Sequence, residues 1–459
     1  MAFLAAGGQF IATNDLHIFM AMGQDMAQSG QFMEIESFTW TAKGAPFIHG
    51  PWGFSLLSWW IYDCAGLFGL RAFNGLMAAF TVALLGRAAI LRGADTRAAA
   101  FSCLFVFMLL FQNLAVRAQT WAYPLFALLI WWGSIRRPPK ADWIMGVIIG
   151  CLWANIHGSF PAALVFLALT GAGHVWKTRD LRAAKTSIIL FLAFAAGTCI
   201  GPNGPGIYEF VLSNSGLPRA RGLSEWSSPE WFSISGVRLA LALSLWALLT
   251  IKRPRALAPN DWLPVLAFAG LSFTGTRFIS WFGLASAVPL SLQLSKGMTP
   301  SPGIPLPLLR KFFLVFGLLW TLMLVRGIQP RDQELRTETP TLAVAAIQTS
   351  APAGRVLNPP EYGGYARFEL GSAWEISSDM RVWVFDDAAW YTYPRLAQAP
   401  ENWSEQLDQA GVTHLLLLPL PFHDPLIKSA KESPDWKLLA EDDSGLAFQR
   451  RIDPVPATR

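Results

Sequence analysis

Long uncharged apolar runs alternate with short basic loops along the first 330 residues of the chain. Residues 186–201 (TSIILFLAFAAGTCIG), 237–251 (VRLALALSLWALLTI) and 311–325 (KFFLVFGLLWTLMLV) carry almost no charge. A bilayer core of about 30 Å takes roughly 20 mostly apolar helical residues, and these runs reach that length with their flanks. The pattern predicts membrane segments at 1–14, 52–70, 72–91, 98–112, 118–135, 142–156, 160–176, 186–201, 237–251, 262–275, 278–295 and 311–328, about eleven or twelve spans. Two polar excursions, 15–51 and 202–236, interrupt them. After Arg326 the pattern changes. Strand-like runs at 355–358, 381–386, 414–419 and 436–440, with a helix over 402–410 ending at Gly411, predict a small α/β domain. The expected architecture is a polytopic α-helical membrane domain, 1–329, followed by a soluble extracytoplasmic domain, 330–459.

Composition and charge fix the class and the sides. Of 459 residues, 53% are hydrophobic and 15% charged, and the apolar residues cluster as membrane segments do. The net charge of +5 is no nucleic-acid signal. Its basic residues sit at 136–140, 177–185 and 252–255, between apolar runs, which is the positive-inside pattern of cytoplasmic loops. That assignment puts 202–236 and the tail outside. Counted backwards, it puts 15–51 inside unless 52–70 or 72–91 fails to cross. Asp63 favours incomplete crossing of 52–70, because a charge at mid-bilayer costs a few kcal/mol. The excursion 15–51 is then expected to share a side with 202–236. Cys64, Cys103, Cys151 and Cys199 all lie in apolar runs, with no disulfide framework and no metal-ligand spacing. The N-terminus lacks the basic stretch of a removable signal.

Candidate chemistry gathers at the excursions and span ends. The first excursion holds Asp15, His17, Asp25, Glu34, Glu36 and His49, among aromatic residues and Gly/Pro that suit an ordered loop on a membrane face. Carboxylates there can deprotonate a hydroxyl acceptor or hold a divalent cation. A solvated acidic loop is the plainer alternative. Arg117 and Gln119 open the fifth span, Asn155 and His157 close the sixth, Glu225 lies in the second excursion and Arg277 begins the eleventh span. All fall on one side under the preferred topology. Guanidinium groups match phosphate geometry, although interfacial snorkelling explains a single arginine equally well.

The order of several short motifs resembles that of the bacterial GT-C-type membrane glycosyltransferases, relatives of the dolichyl-phosphate-mannose protein mannosyltransferases. Asp15-Leu-His-Ile-Phe-Met-Ala-Met-Gly23, Gly30, the run Glu36 to Gly44 and Pro51-Trp52 look like the first outer loop of that group. Arg117-Ala-Gln119 is similar to an Arg-Pro-Gln element, and Trp153 to Gly158 to a Trp-Ala-Asn-Leu-His-Gly element. Gly363-Gly364-Tyr365, Arg381-Val and Phe385-Asp386 are similar to the tail domain. Three positions depart from the pattern: Phe19 where a histidine is usual, Ala118 in place of the proline, and Glu36 in place of an aspartate.

The resemblance implies a multi-pass protein of the bacterial inner membrane with an outer-face active site. It implies a polyprenyl-phosphate sugar donor and an envelope glycan, lipid or protein acceptor. Asp15 becomes the expected base or metal ligand, assisted by Glu36, and Glu34, His49, Arg117, Gln119, Asn155, His157, Glu225 and Arg277 the expected substrate contacts. Membrane lipids are expected partners and nucleic acid is not. A polysaccharide polymerase or ligase would use similar parts. A transporter of a lipid-linked solute, or a scaffold whose tail binds a partner, are readings from other classes. Transporters often show repeated halves and broken mid-membrane helices, and no half-to-half similarity is found here.

Overall fold

The computed structural model describes residues 6–7, 11, 15–135, 137–254, 256–296, 298, 335 and 338–451. Most of the expected segment 1–14 and all of 311–328 lie outside the described residues. The chain divides into two compact units, Met1–Gln9 with Phe68–Ile328, and Phe10–Leu67 with Gln329–Arg459.

The first unit is helical. Its helices Thr96–Leu110, Ala118–Gly133, Pro139–Ile156, Pro161–Thr178, Lys185–Thr198, Ile234–Lys252, Pro259–Ser272 and Ile279–Ser295 fall on the expected segments to within a few residues. By length and apolarity alone, Trp52–Leu91, Thr96–Asn113, Leu181–Thr198, Ile234–Lys252 and Thr276–Ser295 suffice to cross a membrane. Leu241, Leu248, Ile251 and Leu266 are exposed, as apolar side chains facing lipid would be. The protein is a multi-pass membrane protein.

Without a hydrophobic drive between helices in lipid, small residues that permit backbone contact hold such helices together. Gly150 and Gly197 do this between Pro139–Ile156 and Lys185–Thr198. A Cβ at Gly150 would meet the Phe194 carbonyl oxygen at 2.2 Å, and one at Gly197 would meet that of Val147 at 2.3 Å. An aromatic core fills the interior, with Trp153 stacked on Trp281 at 5.6 Å and Phe126 edge-on to both.

The expected segments 52–70 and 72–91 form one helical element, Trp52–Leu91, broken at Gly66 (φ +60°, ψ −160°). Only glycine enters that region of backbone space freely. The arm before the break rises about 21 Å at 1.5 Å per residue, short of a roughly 30 Å core, whereas the arm after it rises about 37 Å. Asp63 is exposed on the short arm.

The second unit is built on a five-stranded sheet, order β2-β1-β3-β5-β4, from β1 (Arg355–Leu357), β2 (Glu375–Ile376), β3 (Val412–Leu417), β4 (Trp436–Asp442) and β5 (Gly445–Arg450). β2, β1 and β3 run parallel, and β5 and β4 add antiparallel. The first excursion belongs to this unit. Its Trp40 amide donates to the Ile376 carbonyl at 2.9 Å, the Ile376 amide donates to Phe38 at 3.1 Å, and the Trp40 indole reaches the Val356 carbonyl at 3.1 Å. Residues 38–41 thus extend the β2 edge.

Three of the four expected strands form. The fourth, 381–386, does not: the Val384 amide donates back to the Arg381 carbonyl at 2.9 Å, a turn. The reason is Arg381 itself, whose fully buried side chain is claimed by two carboxylates. Gly363 permits the helix Pro360–Leu370 to pass close by, since a Cβ there would lie 1.9 Å from the Ser378 carbonyl oxygen.

Candidate functional site

One end of the helical unit assembles four of the expected residues. Arg117 is the N-cap of Ala118–Gly133, and Arg277 lies just before Ile279–Ser295, so two long helices direct their positive dipole ends here. Arg117 grips Glu225 with both terminal nitrogens, Nη1 to Oε2 at 2.7 Å and Nη2 to Oε1 at 3.1 Å. Arg277 Nη1 lies 3.4 Å from the same Oε1. Arg277 Nη2 donates to the Gln119 side-chain oxygen at 2.9 Å, and Gln119 donates in turn to the Tyr123 hydroxyl at 3.0 Å. The Arg277 guanidinium also sits 4.2 Å above the Trp226 ring, a cation–π contact.

Among the described residues, both arginines face the Glu225 carboxylate. The cluster stays partly open, with Arg117 30% and Glu225 22% exposed. Burial alone would raise the Glu225 pKa, but Arg117 and then Arg277 overcome it and hold the carboxyl at about 2. Glu225 is therefore ionised at neutral pH.

His157 caps the end of Pro139–Ile156. Its Nδ1 lies 2.7 Å from the Ser159 hydroxyl, which also accepts from the Trp153 indole at 3.1 Å. Burial, then the charges of Arg277 and Arg117, push its pKa down to about 3, so the ring is neutral. Asn155 is occupied otherwise. Its amide nitrogen donates to the carbonyls of Cys151 and Ile200, both at 2.7 Å, and so ties two helix ends together.

The second unit holds the remaining candidates. Glu36 is buried. Its Oε1 accepts from the amides of Phe38 (2.8 Å) and Thr39 (3.0 Å), and Oε2 lies 2.9 Å from Arg381 Nη1. Asp379 takes Arg381 Nε at 2.9 Å and Nη2 at 2.7 Å. The geometry makes Glu36 the organiser of the loop that carries it, not a group open to a substrate. His49 Nε2 lies 3.1 Å from the Ser55 hydroxyl. Burial first, and then the Arg381 charge, push its pKa down to about 3. Glu34 is exposed, with its carbonyl accepting from the Phe47 amide. Asp15 is half-buried at the N-cap of Leu16–Ser29. Among the described residues, no group of three or more His, Cys, Asp or Glu could hold a metal ion.

No family model matches the chain. In sequence it is 28% identical over 190 residues to the K(+)/H(+) antiporter NhaP2 of Shewanella sp. strains ANA-3, MR-4 and MR-7. That likeness spans 36% of this chain and 32% of each antiporter. The chain thus covers about a third of the length of the curated relatives it matches.

Solved structures match far more of it. ArnT from Cupriavidus metallidurans in the apo state aligns with a TM-score of 0.56 and 13% identity, over 97% of this chain and 95% of ArnT. The same protein bound to undecaprenyl phosphate gives 0.55 and 14%, with the same coverage. The archaeal oligosaccharyltransferase AglB from Archaeoglobus fulgidus, in complex with an inhibitory peptide and a dolichol-phosphate, gives 0.53 and 11%, over 89% of this chain and 66% of AglB. This chain has the GT-C membrane glycosyltransferase fold.

Within this GT-C fold, sequence reasoning missed residues that local signals mark. Tyr123 lies one helical turn after Gln119, on the same face. Ser159 follows His157 by two residues, and Asp379 precedes Arg381 by two. Short-range polar pairs of this kind beside a helix end were the available signal.

Proposed function

We propose that the protein transfers a sugar from a polyprenyl-phosphate-linked donor to an envelope glycan, lipid or protein acceptor on the outer face of the bacterial inner membrane. The observation that carries the reading is the partly open cluster of Arg117 and Arg277 at one end of the helical unit, in a fold shared along nearly its whole length with ArnT. A polyprenyl donor keeps its chain in the bilayer, so its phosphate sits at the interface. As the sugar leaves, negative charge develops on that phosphate, and preorganised guanidinium donors stabilise it. Arg117 and Arg277 take that role. Glu225 keeps both guanidinium planes aligned between turnovers, and neutral His157 offers a hydrogen bond without adding charge. Asp15 is the base that takes the proton of the acceptor hydroxyl. The tail and first excursion, held together by Arg381, form the extracytoplasmic domain.

The test is transfer of radiolabelled sugar from a polyprenyl-phosphate donor by the purified protein. Asp15→Asn is expected to lower the rate by about 10²- to 10⁴-fold. Full transfer by that variant removes Asp15 from the role.

The partial likeness to an antiporter favours cation–proton exchange as a second reading. Exchangers place ionisable carboxylates within the membrane. In the described helices of the first unit the carboxylates are Asp142 and Asp261, each near a helix start and paired with an arginine, and Glu209 and Glu225 in the second excursion. Potassium-driven proton flux in proteoliposomes would restore that reading.

A further inference from the structure

The opposite end of the helical unit, where the basic loops lie, encloses a cavity of about 480 Å³. Arg117 and Ser134 cap the two ends of the 16-residue helix Ala118–Gly133, so this cavity is about 24 Å from the arginine pair along that axis. Its walls include Arg92, Arg137, Asp142, Thr170, His174 and Asp261.

Both carboxylates in these walls are paired with arginines. Asp261 takes both terminal nitrogens of Arg92, at 2.7 and 3.2 Å. One oxygen of Asp142 takes Arg137 Nε at 2.5 Å and the Trp132 indole at 3.0 Å. The donors are not spent. Arg137 is only 7% exposed, and the carbonyls of Trp132 and Ile135 take its Nη1. Its buried Nη2 has no hydrogen-bond partner among the described residues, and neither has the buried hydroxyl of Thr170. The Arg137 guanidinium lies 4.8 Å over the Trp132 ring, which fixes its plane.

Buried donors are nearly always satisfied, and unsatisfied ones mark a missing partner. Here that partner must bring acceptor oxygens, because the unpaired groups are a guanidinium N–H and a hydroxyl. The volume is within the range of small-molecule sites and exceeds what one small anion fills. We propose that this cavity binds a phosphate ester, a monoester or diester whose oxygens accept from Arg137 Nη2 and the Thr170 hydroxyl. Guanidinium forks suit that geometry. The ester reaches it either as a phospholipid headgroup or as a soluble molecule. This inference stands independently of sugar transfer.

The test uses the full-length protein in detergent and the variants Arg137→Gln and Thr170→Val, the second nearly isosteric. Glycerol phosphate is titrated calorimetrically as the soluble probe. Co-purifying phosphatidylglycerol is counted by lipid mass spectrometry as the membrane probe. Binding of at least one probe to the wild type, weakened about tenfold or more in both variants, supports the site. Loss in the glycerol phosphate arm alone assigns a soluble ester, and loss in the lipid arm alone assigns a headgroup. Neither probe binding, or unchanged binding in Thr170→Val, which preserves the ion pairs, overturns the proposal.

Discussion

Two arginine–carboxylate clusters in this protein have opposite stoichiometry. In the tail unit one arginine, Arg381, meets two acids, Asp379 and Glu36, and all three are fully buried. At the end of the helical unit two arginines meet one acid, Glu225, and the group stays partly open. In the first, the charges are taken up inside the protein, and the loop 36–47 is folded around them. In the second, the charged groups remain partly exposed to solvent. Openness to solvent is what separates the second arginine cluster from the first.

The largest expected effect concerns the buried cluster. Arg381→Met strands two buried carboxylates and should cost about 3–5 kcal/mol of stability, read as a lower midpoint of unfolding and faster proteolysis of the tail. A stable Arg381→Met protein would blur the contrast. Next comes Arg117→Gln. It should weaken inhibition by polyprenyl phosphate about tenfold to a hundredfold and lower thermal stability less than Arg381→Met does, since it removes part of what holds the Glu225 pKa down. A fold-destroying effect there would make both clusters structural.

A further effect is expected with pH. His157 and His49 have folded pKa values near 3, below the ordinary 6.5. Between those values the unfolded chain binds protons that the folded chain does not, so stability rises with pH from about 3 to 6.5. Glu225, held at about 2 against an ordinary 4.5, adds stability that is present above 4.5 and lost as pH falls towards 2. His157→Gln should flatten part of the upper window in acid-unfolding curves. Smallest of all, Glu34→Gln on the exposed loop should change stability by less than about 0.5 kcal/mol.

How much of this was legible depended on range. The helices of the first unit could be read because apolar length is a local property, and 118–135 or 278–295 needed no partner to be recognised. The strands 355–358, 414–419 and 436–440 were legible for the same reason. The run 381–386 reads as a strand from Val-Trp-Val-Phe, yet Arg381 is captured by Glu36, 345 residues away, and no local signal encodes that. β5 was missed because its short apolar stretch only becomes a strand between β3 and β4. In the site, Arg117, Gln119, Glu225 and Arg277 stood out as polar residues at helix ends. Their joining through one carboxylate required the fold. The burial of Glu36 against Arg381 could not be read from an acidic loop.

The central claim is that the open arginine pair serves a lipid-linked sugar donor. The most direct measurement is the transfer rate of labelled sugar from polyprenyl phosphate by purified wild type and by Arg277→Gln. Transfer by the wild type and a loss of about 10²-fold or more in the variant are expected, with both proteins still folded. Equal rates in the two proteins, or no transfer by a folded wild type from any polyprenyl-phosphate sugar, would contradict it.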